Sequence, residues 1–169
     1  MNVNLTLSAS AFDKNHFNAM DGFEKQLFLL AEDSQNDVFL MQQAFKKAGL
    51  PNPIQVVSDG QEAISYLKGE GRYSDRAQYP LPMAVLLDLK MARMNGFEVL
   101  EWVRKQPNLK RVVVIILTAS NRSSDADRAY DLGANFYLTK PGKFEDLVEM
   151  TKCLHDWLRL NHFPSITQP

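Results

Sequence analysis

The chain has 169 residues, of which 45% are hydrophobic and 23% charged, and its formal net charge is −1. This length and composition predict one globular domain with a buried core and exclude the disordered, collagen-like and coiled-coil classes. A net charge near zero gives no overall basic field, so we expect neither a nucleic-acid partner nor a membrane partner. The chain begins without a signal-peptide pattern and has a single cysteine, Cys153, which favours the reducing cytoplasm.

Five short apolar runs alternate along the chain with segments of helical spacing. The runs lack polar alternation, which is typical of strands buried on both faces of a parallel sheet. The segments between them carry their apolar residues on one stripe, as amphipathic helices do. In chain order the runs cover residues 27–33, 54–57, 83–89, 112–118 and 136–140. This alternation predicts a doubly wound α/β fold with a five-stranded parallel sheet.

The composition also divides the chain into segments. Residues 1–24 show no strong pattern and are expected to be a flexible N-terminal extension, followed by one domain over 25–160 and a short tail over 161–169. Residues 69–82 are rich in turn formers and polar groups, which predicts a long loop before the third strand. Ser124, with an aspartate three residues later, predicts a capping box at the start of the fourth helix.

Polar residues end four of the five predicted strands. Glu32 and Asp33 end the first strand, Asp88 the third, Thr118 the fourth and Lys140 the fifth. Each has an ordinary structural explanation by itself, since Asp33 could cap the next helix and Lys140 could be a solvated loop cation. The carboxyl ends of parallel strands share one edge of the sheet, however, and ligands bind there. Their joint occurrence therefore favours a functional site.

The types of residue at this edge indicate phosphoryl chemistry. Three carboxylates held together repel one another unless a cation neutralises them, and an all-oxygen ligand set favours Mg²⁺. The Lys140 ammonium could offset the charge of a phosphoryl group, and the Thr118 hydroxyl could donate to one of its oxygens. Asp88 is the best candidate nucleophile, because a carboxylate can form an acyl phosphate.

In this combination, residues 26–160 resemble the receiver domain of two-component response regulators. The resemblance implies the flavodoxin-like strand order 2-1-3-4-5. The motifs that carry it are the acidic pair Glu32 and Asp33, the segment LLDLKMARMNGFEVL with Asp88, the segment IILTAS with Thr118, and YLTKP with Lys140.

The resemblance also implies a magnesium site. Asp33 and Asp88 would be direct ligands, Glu32 would act through water, and the backbone carbonyl of Lys90 would be a further ligand. Receivers often have a proline four residues after the phosphoacceptor, where this chain has Ala92. The loop after the third strand is therefore expected to be less constrained than usual.

For phosphorylation, the resemblance implies that Asp88 is the phosphoacceptor and that Lys140 pairs with the phosphoryl group. Thr118 and Tyr137 would be the switch pair: Thr118 moves toward the phosphate, and Tyr137 turns inward. Such a protein is not a conventional enzyme. It promotes its own phosphotransfer and dephosphorylation within a phosphorelay.

The partners follow from the same resemblance. A sensor histidine kinase would supply the phosphoryl group. The chain is similar to the stand-alone response regulators of cyanobacterial phytochromes, so a phytochrome-type kinase is the narrower expectation. A changed protein-binding surface would carry the output to a downstream target. We also expect a homodimer through residues 124–160 or the tail.

Two other classes of function remain open at this stage. One is a Mg²⁺-dependent phosphohydrolase with an aspartate nucleophile. Such enzymes usually place a second aspartate two residues after the first, where this chain has Lys90. The other is a receiver-like adaptor that is never phosphorylated, which loss of Asp88, Asp33 or Lys140 would have indicated; all three are present.

Overall fold

The computed structural model describes residues 22–161, so most of the predicted N-terminal extension and C-terminal tail lies outside the described residues. None of the described helices is long and apolar enough to cross a membrane. Strands and helices alternate from residue 28 to residue 160. In chain order they are β1 Phe28–Ala31, α1 Gln35–Lys47, β2 Ile54–Val57, α2 Gly60–Lys68, a short 3₁₀ helix Gly71–Tyr73, β3 Ala84–Leu87, α3 Gly96–Lys105, β4 Val113–Thr118, α4 Ser123–Asp131, β5 Phe136–Thr139 and α5 Phe144–Leu160.

The five strands form one parallel sheet in the order β2-β1-β3-β4-β5, which confirms the predicted fold. Phe28 of β1 is in register with Ile54 on one side and Ala84 on the other. Alternate side chains point to opposite faces, where α1 and α5 cover one side and α2, α3 and α4 the other. Because both faces are buried, β1, β3 and β4 read as continuous apolar runs in the sequence.

The connection between α2 and β3 is packed against the core. Its 3₁₀ helix, Gly71–Tyr73, buries the Tyr73 ring, which meets the rings of Tyr66 and Tyr79 edge-on at 4.9 and 5.1 Å between centroids. Arg76 donates hydrogen bonds of 2.8 and 2.6 Å to two backbone carbonyls at the end of α2. The turn-rich composition predicted a long loop correctly, but it gave no indication of this aromatic packing.

The predicted start of α4 is wrong. The helix begins at Ser123 with Arg122 at the N-cap, and the Arg122 side chain makes no capping hydrogen bond. Ser124 lies inside the first turn, so it cannot form the predicted capping box. The Arg122 carbonyl accepts the first helical hydrogen bond, and the carboxylate of Asp125 accepts one from the Ser120 hydroxyl at 2.5 Å. The link between Ser120 and Asp125 therefore ties the loop after β4 to the start of this helix.

Candidate functional site

The predicted site residues at the strand ends come together at one edge of the sheet. One oxygen from each of the carboxylates Glu32, Asp33 and Asp88 lies within 4.8 Å of the others. The Lys140 ammonium is 2.5 Å from Glu32 Oε2 and 3.6 Å from Asp88 Oδ1. The backbone N–H of Lys140 donates to the carbonyl of Thr118 at 2.8 Å, which fixes the end of β5 beside β4. Parallel pairing thus places side chains distant in sequence around one point.

The adjacent acids Glu32 and Asp33 have different surroundings. Glu32 is only 3% exposed and accepts a hydrogen bond from the backbone N–H of Ser34 at 3.1 Å. Asp33 is exposed, and its Oδ2 accepts a bond from the backbone N–H of Ala92 at 3.1 Å. Ser34 caps α1, so helix capping does not account for Asp33. Its carboxylate instead lies against the loop that follows β3.

Three contacts fix that loop. The absence of a proline at Ala92 had predicted a less constrained loop. The Ala92 N–H bonds to Asp33, and the Gly96 N–H donates to the Leu89 carbonyl at 3.1 Å. Arg93 adopts the left-handed conformation, with φ of 62°, and its guanidinium pairs with the buried carboxylate of Asp59. Hydrogen bonds and an ion pair therefore provide constraints where proline is absent.

Asp88 directly follows β3 in a buried position, close to the backbone of the same loop. Its Oδ2 accepts a hydrogen bond from the N–H of Lys90 at 3.0 Å. Its own N–H donates to the Ala31 carbonyl at 3.0 Å, which holds it beside the end of β1. The acceptor candidate is thus fixed on the sheet, while the Lys90 backbone lies next to its carboxylate.

Lys140 has a partner that the sequence analysis missed. Asp37, in the first turn of α1, places Oδ2 2.7 Å from the Lys140 ammonium. The ammonium is therefore hydrogen-bonded to Glu32 and Asp37, while its distance to Asp88 is longer than a hydrogen bond. The only available sequence signal was an aspartate at the start of a helix, which ordinarily indicates favourable helix-dipole placement.

Burial and hydrogen bonding shift the pKa values of Glu32 and Lys140 in opposite directions. Burial raises the pKa of Glu32, although the hydrogen bond from Lys140 opposes that effect. Burial by itself would lower the pKa of Lys140, but hydrogen bonds to Asp37 and Glu32 outweigh it and raise that pKa. Lys140 therefore stays protonated at neutral pH, and one ammonium faces several carboxylates.

The remaining negative charge fits a divalent cation. Glu32, Asp33 and Asp88 offer oxygen ligands only, which hard cations such as Mg²⁺ prefer. The neighbouring ammonium leaves this cluster with an excess of negative charge. A cation there would stabilise the charged form of the buried Glu32 carboxylate. The chemistry of the donor set thus agrees with the predicted metal site.

The predicted switch pair, Thr118 and Tyr137, is joined through Ser120. Thr118 is fully buried, and its hydroxyl accepts a hydrogen bond from the Ser120 N–H at 3.3 Å. The Tyr137 hydroxyl donates to the Ser120 carbonyl at 2.9 Å. Sequence reasoning missed Ser120, because its contribution comes mainly from backbone groups. The Tyr137 ring is thus already held over this loop in the structure.

Comparisons with known proteins agree with this architecture. Residues 28–152 match the response regulator receiver domain. Response regulator Rcp1 of Synechocystis sp. is 33% identical over 141 residues, which cover 83% of this chain and 94% of the relative.

Two solved structures are similar over the same part of the chain. The phosphorylated cyanobacterial phytochrome response regulator RcpA superposes with a TM-score of 0.77 at 34% identity, covering 83% of this chain and 99% of that one. The Mn²⁺-bound form of Rcp1 gives 0.74 at 33% identity, with the same coverage of both chains. The similarity therefore extends over nearly the whole of each related protein.

Substituting Gly96 with alanine is expected to displace the loop after β3. The new Cβ would overlap the backbone carbonyl of Asp88 and approach the Cα of Leu89 to 3.0 Å. Backbone atoms cannot yield as a flexible side chain can, so we expect a loss of about 1–3 kcal/mol in the free energy of unfolding. Urea denaturation measures this. Gly142→Ala is the control, because a Cβ there meets open space. Equal unfolding free energies for the two variants would contradict the predicted backbone clash at Gly96.

Proposed function

The chain belongs to the response regulator receiver domain family, and from this premise we propose that it is a phosphorylation switch whose acceptor is Asp88. The observation that carries the proposal is the convergence of Asp88, Lys140 and the three-carboxylate cluster at one sheet edge. We assign the receiver domain to residues 25–160. A sensor histidine kinase would supply the phosphoryl group, and the similarity to Rcp1 and RcpA favours a phytochrome-type kinase.

The proposed transfer takes place at the Asp88 carboxylate. One of its oxygens attacks the phosphorus of a phosphohistidine on the kinase. The new P–O bond gives an acyl phosphate as the P–N bond breaks, and the electron pair returns to the imidazole. The Lys140 ammonium, 3.6 Å from Asp88 Oδ1, is close enough to pair with the transferred group after a small movement.

We propose Mg²⁺ as the cation of this site. Asp33 and Asp88 would bind it directly, together with the backbone carbonyl of Lys90, and Glu32 would act through water. When bound, the ion supplies charge neutralisation for the phosphoryl group. The Mn²⁺-bound structure of Rcp1 supports a divalent ion in this family. The contacts of Glu32 with Lys140 and with the Ser34 N–H support the indirect role.

Output would pass from Thr118 to the face formed by α4, β5 and α5. A phosphoryl group on Asp88 would draw the Thr118 hydroxyl and thereby move Ser120, whose carbonyl holds Tyr137. Among the elements of this face, Tyr130 of α4 is 53% exposed and Leu160 at the end of α5 is 75% exposed. We propose that this face binds a downstream target or a second copy of the chain, because it includes Tyr137, which the loop after β4 holds.

The acceptor assignment predicts that Asp88 takes up one phosphoryl group. Purified protein treated with acetyl phosphate and Mg²⁺ should gain a single acid-labile phosphate, which intact-mass analysis detects. Asp88→Asn should gain none, because an amide is too weak a nucleophile to form the acyl phosphate. Asp131→Asn, which neutralises an exposed acid on α4, is the control. Equal labelling of the wild type and Asp88→Asn would refute the assignment.

The metal assignment predicts unequal effects of removing the two adjacent charges. Asp33→Asn should weaken Mg²⁺ binding by at least about tenfold, whereas Glu32→Gln should weaken it less, because a group acting through water contributes less than a direct ligand. Tryptophan and tyrosine fluorescence during a Mg²⁺ titration measures both affinities. Circular dichroism controls for folding of the Glu32 variant. Equal losses in two folded variants would argue against the proposed ligand order.

A further inference from the structure

The Lys140 ammonium lies closer to Glu32 and Asp37 than to Asp88. It has three protons to donate, and two of its hydrogen bonds go to Glu32 Oε2 at 2.5 Å and Asp37 Oδ2 at 2.7 Å. The nearest Asp88 oxygen is 3.6 Å away. A phosphoryl group on Asp88 must therefore compete with two carboxylates for this cation.

We propose that Asp37 is a positioning residue that restrains Lys140 and so sets the affinity of the site for a phosphoryl group. The proposal rests on the phosphoacceptor function given above for Asp88. Asp37 would act through Lys140 and would not touch the transferred group. It would bias the site toward the unphosphorylated arrangement, because its contact with Lys140 weakens when that ammonium turns to the phosphoryl oxygens.

Asp37, and not Glu32, is the restraint that persists when a cation binds. Glu32 belongs to the three-carboxylate cluster, so a bound cation competes with Lys140 for its charge. Asp37 is outside that cluster, so its carboxylate stays paired with Lys140 when a cation binds. Its backbone is fixed in the first turn of α1, where the Asp37 N–H donates to the capping hydroxyl of Ser34 at 3.3 Å.

The surroundings of Asp37 suit a restraint that can be released. The side chain of Asp37 is 34% exposed, against 3% for Glu32, so water can solvate its carboxylate when Lys140 turns away. A cavity of about 240 Å³ adjoins Glu32, Asp37 and Lys140 and has apolar walls that include Leu40 and Leu117. The Lys140 side chain therefore borders open space where it meets Asp37.

The test is the affinity for beryllofluoride, a phosphoryl mimic, measured by fluorescence at saturating Mg²⁺. Asp37→Asn should bind it about three- to tenfold more tightly than the wild type, the scale of one partly exposed charge-assisted contact. Asp37→Ala should also bind more tightly. Asp37→Glu, which keeps the charge, should restore affinity close to that of the wild type. A merely structural defect would weaken binding, so the direction of change separates the two roles.

Asp146→Asn is the matched control, because Asp146 occupies the same position in the first turn of α5 and is exposed. It should bind beryllofluoride as the wild type does. In the metal-free protein, the ¹³Cε NMR signal of Lys140 should shift in Asp37→Asn and stay unchanged in Asp146→Asn.

Equal or weaker binding by folded Asp37→Asn and Asp37→Ala would overturn the proposal, as would an Asp37→Glu variant that behaves like Asp37→Asn. Failure of the wild type itself to bind beryllofluoride or to accept phosphate on Asp88 is a different result. It would remove the phosphoacceptor function and this inference with it. A wild type that is phosphorylated normally, beside Asp37 variants with unchanged affinity, would reject the role of Asp37 alone.

Discussion

The structure depends on a charge imbalance at the carboxyl edge of its sheet. Glu32 and Asp88 are buried there beside exposed Asp33, and the Lys140 ammonium offsets only part of their charge. Buried carboxylates are costly unless they are paired or bind a cation. The excess of negative charge therefore fits a divalent cation.

The fold determines which residues share this edge. Parallel strands end on the same side, so residues more than 100 positions apart in sequence, such as Glu32 and Lys140, become hydrogen-bonded. Helices on both faces exclude water from the strands, and the strand ends remain partly accessible. The same sheet connects Asp88, directly after β3, to Thr118 on β4 and then to Tyr137 on β5. We propose that a change at Asp88 reaches the α4–β5–α5 face through these neighbouring strands.

Much of this arrangement was predictable because it depends on simple periodicity. Strands buried on both faces appear as apolar runs, and polar residues directly after such runs mark the edge, as Asp88 does. The contact between Asp37 and Lys140 was not predictable, because it depends on how far α1 lies from β5 and on the conformations of two side chains. The ion pair of Arg93 with Asp59 was missed for the same reason: the sequence showed a missing proline, and only the folded loop showed what replaces it.

The packing of residues 69–82 also could not be predicted from sequence patterns. Turn formers indicate irregular backbone, but they do not show that Tyr73 is buried against Tyr66. The predicted start of α4 was wrong for a similar reason. Local capping preferences favoured Ser124 as the N-cap, whereas the helix starts earlier, at Ser123, with a side-chain hydrogen bond from Ser120 to Asp125. Local rules therefore give elements and strand ends more reliably than they give loop packing.

In the proposed switch, Lys140 exchanges carboxylate partners for a phosphoryl group on Asp88. A crystal structure of the protein with Mg²⁺ and beryllofluoride tests this most directly. We expect the Lys140 ammonium to be hydrogen-bonded to a fluorine of the mimic on Asp88 and to have moved out of hydrogen-bond distance of Asp37. A mimic bound on Asp88 with Lys140 still hydrogen-bonded to Asp37, and without contact to the mimic, would contradict it.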